Sequence, residues 1–340
     1  MSKELWYKIN NFNFYDQAGG EYTFTVRLAK ENYWTINFTK RAMEEYKKFM
    51  YLTAITDQIV SPSEIVDVVW HQHLVYTKLY NDFSQLVGKQ IQHIPSTHNK
   101  KDFNRFKQAR ERTKLLYDKI FGKQPADIWA TREMYDSLNL EKSKLKIRTF
   151  LVWGLVFNLA MLLPSYYFLK PMLIQMSNFY FFTLLISITV FTIILLINLN
   201  SIMIGKILSR ADKNSFIFNL HPSELIYSRR KKPEDIINSY LDFCIRKNAV
   251  LVTASNKLQA CEHAPEDGSD LFGIMNKLKS TGPLSYSEFF KVMTKGSAIF
   301  NVSNSMDAFV KYVGKSKKFG TVFYINYFFT LCFFYLALQD

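Results

Sequence analysis

Three long stretches without a charged side chain constrain the fold of this chain more than any other feature of its sequence. Each contains the roughly 20 predominantly apolar residues that a helix needs to cross about 30 Å of hydrocarbon. Lysine and arginine residues bracket the stretches, which is typical of the ends of membrane spans and not of helices in a soluble core. We therefore predict transmembrane helices at residues 149–169, 179–204 and 320–338.

Lysine and arginine residues near the spans predict how the chain is oriented across the membrane. They precede the first and third spans and follow the second: Lys142, Lys144, Lys146, Arg148, Lys206, Arg210, Lys213, Lys315, Lys317 and Lys318. The loop at residues 170–178, between the first two spans, contains a single lysine. By the positive-inside rule, the N-terminus and residues 205–319 lie in the cytosol and the C-terminus lies outside. We expect a multi-pass protein of the cytoplasmic (inner) membrane.

The predicted spans contain no Asp, Glu, Lys, Arg or His. Proton relays, ion pathways and voltage sensors depend on such residues, which are costly to keep inside a membrane. Three unlike spans also lack the repeated halves that are typical of secondary transporters. The spans are therefore predicted to anchor and assemble the protein, not to form a transport pathway.

Residues 1–140 are predicted to form a cytosolic, mainly helical domain. Apolar residues at spacings of three and four predict an amphipathic helix over residues 39–56. A second helix is predicted to begin after Ser61 as N-cap, with proline at its first position, and to run towards Tyr80. A third is predicted over residues 101–121, where a glycine follows.

The second of these helices carries the cluster that most suggests chemistry. Asp67 and His71 are about one turn apart and can touch, whereas His73 points to another side of the helix. One interpretation is a metal site, with zinc or another divalent metal held by Asp67, His71 and the loop residue His93. A second is a structural pair of Asp67 with a buried His71. In this second interpretation, Trp70 belongs to the core and His73 to the surface. A third interpretation is a pocket for a polar ligand.

Several motifs in the N-terminal segment occur in the order of one known family. They are R-L-A-K-E-N-Y-W at 27–34, E-Y-K-K-F at 45–49, P-S-E-I-V-D-V-V-W-H-Q-H-L at 62–74 and Y-D-K-I-F-G-K-Q-P-A-D-I-W at 117–129. Residues 22–129 thereby resemble the glycine-rich domain-containing protein family, whose marker is D-x-x-W-H-x-H. That family is largely uncharacterised, so the resemblance implies no particular activity.

Residues 205–319 are predicted to form a second cytosolic domain, which is α+β and winged-helix-like. Two helices with early prolines lead into a hairpin that turns around Asn256, and Ser285 caps a further helix. A basic cluster between the two helices is predicted to lie on the inner leaflet: Arg229, Arg230, Lys231 and Lys232. The motif L-x-P-x-E-L-x-Y at 220–227, placed after two spans, resembles a family of uncharacterised bacterial membrane proteins with low-complexity C-terminal tails.

Together these features predict a mainly α-helical membrane protein with two cytosolic domains. The sequence has no phosphate-binding Gly-rich loop, nucleophile elbow or dinucleotide fingerprint, and its three cysteines lack a C-x-x-C pair. The leading hypothesis is therefore a non-enzymatic, membrane-anchored interaction or scaffold protein with cytosolic protein partners and no cofactor. Nucleic acid is disfavoured as a partner, because the net charge of +14 has a simpler use at anionic headgroups. The alternative is a metal- or ligand-binding enzyme with its site around the W-H-x-H motif.

Overall fold

The computed structural model describes residues 3–14, 24–94, 100–143, 147–169, 171, 177–261, 274–294 and 297–316. Most of them are helical, in α1 (Lys3–Asn10), α2 (Phe24–Asn32), α3 (Ile36–Ile55), α4 (Glu64–Val75), α5 (Thr77–Val87), α6 (Lys100–Phe121), α7 (Ala126–Trp129), α8 (Ile147–Pro164), α9 (Asn178–Arg210), α10 (Pro222–Arg230), α11 (Pro233–Arg246), α12 (Ile274–Thr281), α13 (Tyr286–Met293) and α14 (Ser297–Gly314). The described strands β1 (Val250–Val252), β2 (Lys257–Ala260) and β3 (Leu284–Ser285) form one antiparallel sheet in the order β1-β2-β3. The chain divides into two compact units, one of residues up to Ser137 with Asp212–Phe309, the other of Leu138–Ala211 with the residues from Val310.

Helix α3 packs against α1, α2, α4 and α6 in the N-terminal part of the first unit. Its buried side chains recur at helical spacing and are mostly large and apolar: Phe38, Ala42, Tyr46, Phe49, Met50 and Leu52. The helix predicted at residues 39–56 is thus confirmed, with its start at Ile36, and the helix predicted at 101–121 is confirmed as α6. Burial of a common apolar face, at about 25 cal/mol per Å² of apolar area, holds these helices together.

A buried carboxylate links three of these helices. Glu45 on α3 is 5% exposed, and its Oε2 accepts hydrogen bonds of 2.7 Å from the Tyr117 hydroxyl and from Nε1 of Trp129. Its Oε1 lies 2.7 Å from Nζ of Lys48. The partners on α6 and α7 compensate the loss of hydration of the carboxylate, which would be costly without them.

Helix α4 begins two residues later than the sequence predicted. Its N-cap is Ser63, whose Oγ accepts a 3.2 Å hydrogen bond from the N–H of Val66. The predicted cap, Ser61, instead donates its backbone N–H to Oγ1 of Thr113 on α6, at 2.9 Å. A tertiary contact therefore removes Ser61 from the capping position.

The end of α4 also differs from the prediction of a helix that runs towards Tyr80. The backbone of Tyr76 leaves the helical conformation, with φ of −87° and ψ of 67°, so that α4 and α5 are separate helices. Because the chain bends there, the Tyr80 hydroxyl on α5 meets Nε1 of Trp70 on α4, which donates a 3.3 Å hydrogen bond to it.

The C-terminal part of the first unit has an apolar core of its own. Its buried members come from α10 to α14 and the sheet, with one from α3: Ile36, Tyr227, Ile236, Ile237, Tyr240, Leu241, Cys244, Ala249, Val250, Leu258, Leu278, Phe289, Met293, Val302 and Met306. The predicted hairpin is confirmed, with Asn256 at a positive φ of 55° in its turn. The predicted cap is also confirmed, since Ser285 and Glu288 form a capping box at the start of α13.

The two soluble segments, which the sequence assigned to separate cytosolic domains, pack together in the first unit. The buried Asn301 donates a 2.9 Å hydrogen bond from Nδ2 to the carbonyl of Val26. Nδ2 of Asn37 donates to the carbonyl of Asn219, also at 2.9 Å. Residues separated by most of the chain length therefore form a common interior.

In the second unit, α8 and α9 are long and apolar enough to cross a membrane, over Arg148–Phe168 and Phe182–Arg210. Most of their described large apolar side chains are exposed, which is unfavourable for a helix surrounded by water. The first two predicted spans coincide with these helices. The third predicted span, residues 320–338, lies outside the described residues.

Candidate functional site

Two of the predicted site residues lie on the same face of α4. Asp67 and His71 are one helical turn apart, and Nε2 of His71 lies 3.3 Å from Oδ2 of Asp67. The His71 side chain is 60% exposed and that of Asp67 is 36% exposed. This pair is therefore accessible from solvent, and the interpretation that His71 is buried is wrong.

The third residue, His93, is brought to the same place by the chain that follows α5. Gly88 ends α5 with a positive φ of 72°, a conformation that glycine adopts without steric cost. The Tyr80 hydroxyl then donates a hydrogen bond to the carbonyl of Ile91, which fixes the chain two residues before His93. The ring of Trp70 meets the imidazole of His93 edge to face, with centroids 4.6 Å apart.

The Asp67 carboxylate contacts both imidazoles. Nε2 of His93 is 3.0 Å from Oδ1 of Asp67, whereas His71 contacts Oδ2. The His71 and His93 ring centroids are 4.4 Å apart. One ligand atom from each of the three residues lies within 4.8 Å of the other two. The structure thus gathers the predicted trio into one cluster that is able to hold a metal ion.

A cleft of about 300 Å³ opens beside this cluster. Asp67 and His93 line it, as do the buried rings of Phe49 and Trp70, whereas His71 does not. Lys89 also lines it. Nζ of that lysine donates hydrogen bonds of 3.0 and 3.4 Å to two carbonyl groups at the C-terminal end of α3. These bonds occupy the ammonium group. The surface of the cleft is mostly apolar, and the carboxylates of Asp57 and Asp67 and the imidazole of His93 contribute polar groups to it.

The remaining motif histidine, His73, is fully buried and not on the surface as one interpretation held. Its Nδ1 lies 2.8 Å from the Tyr46 hydroxyl. Aromatic rings surround it, among them Phe14, Tyr80 and Phe83 at centroid distances of 5.1, 5.0 and 5.5 Å. Burial lowers the pKa of His73 to about 4, so its imidazole is neutral at physiological pH. His73 therefore stabilises the interior, as does Trp70, which is predicted and found in the core.

The basic cluster, Arg229–Lys232, is exposed where α10 ends and α11 begins. Two of its members have acidic neighbours: Nη1 of Arg230 is 3.6 Å from Oδ1 of Asp235, and Nζ of Lys231 is 3.5 Å from Oδ1 of Asp307. Exposed pairs at such distances stabilise by at most about 1 kcal/mol. The cluster therefore remains a charged surface and is remote in sequence from the Asp67 cluster.

The sequence interpretation missed the cleft residues, notably Phe49, Lys89 and Ile91. Phe49 belongs to the apolar face of α3, where nothing distinguishes it from other core residues. One signal was available: Gly88 marks the end of a helix, so a turn of the chain could be expected before Ile91 and His93.

Comparison with known proteins gives a match to the part of the chain that contains this site. A family model described as UCP032817-like matches residues 22–118, a stretch that runs from α2 into α6 and includes Asp67, His71 and His93. No curated protein and no solved structure matches the chain. The resemblances stated from the sequence motifs stay predictions. The similarity to this family model covers the candidate site and not the predicted spans.

Proposed function

We propose that this protein is a membrane-anchored metal-binding protein, with a divalent transition-metal ion held by Asp67, His71 and His93. The observation that carries the proposal is the convergence of the three side chains, with ligand atoms within 4.8 Å of one another. Metal–nitrogen and metal–oxygen bonds near 2.1 Å place the ligand atoms of a tetrahedral site about 3.4 Å apart. Oδ2 of Asp67 lies 3.3 Å from Nε2 of His71 and Oδ1 lies 3.0 Å from Nε2 of His93, so each imidazole has a carboxylate oxygen close to that separation.

The ligand set also selects the ion. Two imidazole nitrogens and one carboxylate suit zinc and neighbouring first-row metals, whereas magnesium and calcium prefer oxygen ligands alone. The Asp67 carboxylate offsets part of the charge of a divalent ion. Because His71 is exposed, its ring has room to adjust towards an ion without a change in the core.

The proposal is tested by metal analysis and thermal unfolding of the full chain in detergent. Zinc should raise the melting temperature of the wild type by mass action. His71→Ala and Asp67→Asn should abolish bound zinc and this shift. Lys78→Ala and Asp82→Asn, exposed changes of matched type on α5, should retain both.

Without zinc, His71→Ala should melt close to the wild type, because the side chain is exposed. Wild-type protein that neither retains zinc nor melts higher with it would refute the proposal. Zinc binding that persists in both Asp67→Asn and His71→Ala would place the ion elsewhere.

The proposed anchor consists of a helical hairpin, α8 and α9, and of a third span at residues 320–338. The first unit supports this topology, because it contains the segments before α8 and after α9. Segments that share an interior lie on one side of a membrane, which requires an even number of spans between them. Reporter fusions after Lys142 and after Ser255 should both report the cytosol, and one at Met176 the outside. An external signal from the Ser255 fusion would overturn this orientation.

A second candidate function is that of an interaction or scaffold protein, and the sheet of the first unit favours it. Among the described strands, β1 is at the edge of the sheet, and its Leu251 and Val252 are 50% and 56% exposed. Unpaired edges with apolar side chains are sites for strand addition by a partner. A winged-helix-like arrangement, with two helices before the hairpin, is consistent with this role. Crosslinking in cells should capture a partner with the wild type and with the control Leu225→Lys, but not with Leu251→Lys; equal capture by all three would exclude this surface.

A further inference from the structure

The metal site and the cleft together indicate what the ion would bind. This inference rests on the proposed metal function. In the described part of the chain, no fourth His, Cys, Asp or Glu joins the cluster of Asp67, His71 and His93. Structural zinc sites have four protein ligands, whereas sites with three leave a coordination position for water or a substrate. An ion held by these three described residues alone would retain an open position.

The open position is next to the cleft. Asp67 and His93 line the cleft, while His71 lies outside it, so an ion between the three side chains borders the cleft. The volume of about 300 Å³ is at the small end of the range for ligand pockets in proteins, roughly 300–1,000 Å³. A small molecule that coordinates the ion has room for its remaining atoms there.

The lining determines the chemistry of that molecule. Val60 and Phe106 contribute half-buried apolar side chains to the lining, and Ile59 contributes an exposed one. The charged lining residues are Asp57, Asp67 and Lys89. Nζ of Lys89 already donates to carbonyl groups at the end of α3 and lies 3.6 Å from Oδ1 of Asp57. The described lining therefore offers no unengaged cation for a phosphate-rich ligand.

We infer that the cleft binds a small, singly charged organic anion with a flat apolar body, whose oxygen-donor head coordinates the metal ion. An aryl carboxylate or aryl hydroxamate has this chemistry. The apolar side chains of Ile59, Val60 and Phe106 contact the body, and the ion neutralises the head.

Two hydroxamate probes with the same head test this inference on the full chain loaded with Co²⁺. Visible absorption of bound Co²⁺ reports coordination of acetohydroxamate, which has a methyl group, and of benzohydroxamate, which has a phenyl ring. Benzohydroxamate should bind about tenfold more tightly or better, because burying a phenyl ring is more favourable than burying a methyl group by a margin of this order. Ile59→Glu should remove this preference by making the opening of the cleft polar. Ile55→Glu, at a similarly exposed isoleucine outside the lining, should retain it.

Both probes coordinate Co²⁺ through the same hydroxamate group. A variant that changes this coordination changes both affinities equally, so their ratio reports only the contacts of the methyl or phenyl group. Co²⁺ binding with equal affinities for the two probes would overturn the inference and leave the metal site standing. A preference that Ile59→Glu retains as fully as Ile55→Glu would also overturn it. Wild-type protein that binds no Co²⁺ would refute the proposed metal function itself.

Discussion

Oε1 of Glu224 accepts a 2.8 Å hydrogen bond from the backbone N–H of Ile36, a residue 188 positions earlier in the chain. Its Oε2 accepts a second bond, also of 2.8 Å, from the N–H of His221 in the capping box of α10. One fully buried carboxylate thus occupies the N-terminal ends of two helices, α3 and α10. The N-cap of α3, Thr35, makes no side-chain capping bond, so Glu224 supplies the acceptor that the local sequence does not.

Glu224→Ala should destabilise the first unit strongly. The change leaves two buried N–H groups without an acceptor, at a cost of about 1–3 kcal/mol each. Glu288→Ala removes the equivalent carboxylate of the exposed capping box of α13, where water replaces it, and is the matched control with a smaller loss. Urea unfolding of the full chain in detergent measures both variants. Equal losses would show that the contact of Glu224 with Ile36 contributes nothing beyond local capping.

The same carboxylate should make stability depend on pH. Burial raises the pKa of Glu224 to about 7 from its ordinary value of 4.5. Between about pH 4.5 and about pH 7 the unfolded chain has lost the proton that the folded chain retains, so the free energy of unfolding falls as pH rises. Glu224→Gln should remove this decrease. The free energy of unfolding should be measured for both proteins at about pH 5 and about pH 7. The advantage of the wild type over the variant should be larger at about pH 5.

His73 should have the opposite dependence. Its pKa is lowered to about 4 from the ordinary value of 6.5. Between these pH values the imidazole is protonated in the unfolded chain and neutral in the folded chain. Stability from this group is complete above about pH 6.5 and is lost as pH falls towards 4. His73→Phe should flatten this part of the wild-type profile. An unchanged slope in the variant between these pH values would mean that another group, such as His221, governs acid unfolding.

Tyr46→Phe should reveal how much the hydroxyl contributes to this interior. The change leaves Nδ1 of His73 without its partner at 2.8 Å, with an expected loss of about 1–3 kcal/mol. Tyr7→Phe, at an exposed tyrosine on α1, is the control and should be within about 0.5 kcal/mol of the wild type. Thermal unfolding distinguishes them, and a neutral Tyr46→Phe would contradict the hydrogen bond.

Arg41→Ala should be among the most destabilising single changes on α3. The guanidinium binds the buried carboxylate of Asp127 through two bonds, of 2.8 and 2.9 Å. Removing one partner of a buried pair costs about 3–5 kcal/mol, because the other charge is left unpaired. Arg27→Ala breaks the exposed pair with Glu31 and should cost less than about 1 kcal/mol. Similar denaturation midpoints for the two variants would show that the buried pair is not special.

Local features of this chain were predictable because their causes lie within a few residues. The uncharged stretches predicted α8 and α9 by composition, and a capping box predicted the start of α13 at Ser285. Helical spacing predicted that Asp67 and His71 touch. The hairpin around Asn256 followed from two short strand-like segments, residues 249–253 and 257–260, on either side of it. Each of these features depends on local backbone geometry or on contact with solvent. None of them requires knowledge of residues that are distant in sequence.

For the site, sequence spacing alone predicted the contact between Asp67 and His71 on one helix. The burial of His73 and the approach of His93 depend on the folded chain. The W-H-x-H spacing separates His71 and His73 by about 200° around the helix, so one faces in and the other out. Only the packing of aromatic rings from several helices decided that His73 is the buried one. His93 reaches Asp67 through a glycine turn and a bond to Ile91, and Glu224 reaches Ile36 across the chain. Such contacts depend on which surfaces meet in three dimensions, and periodicity along one segment carries no information about its distant partner.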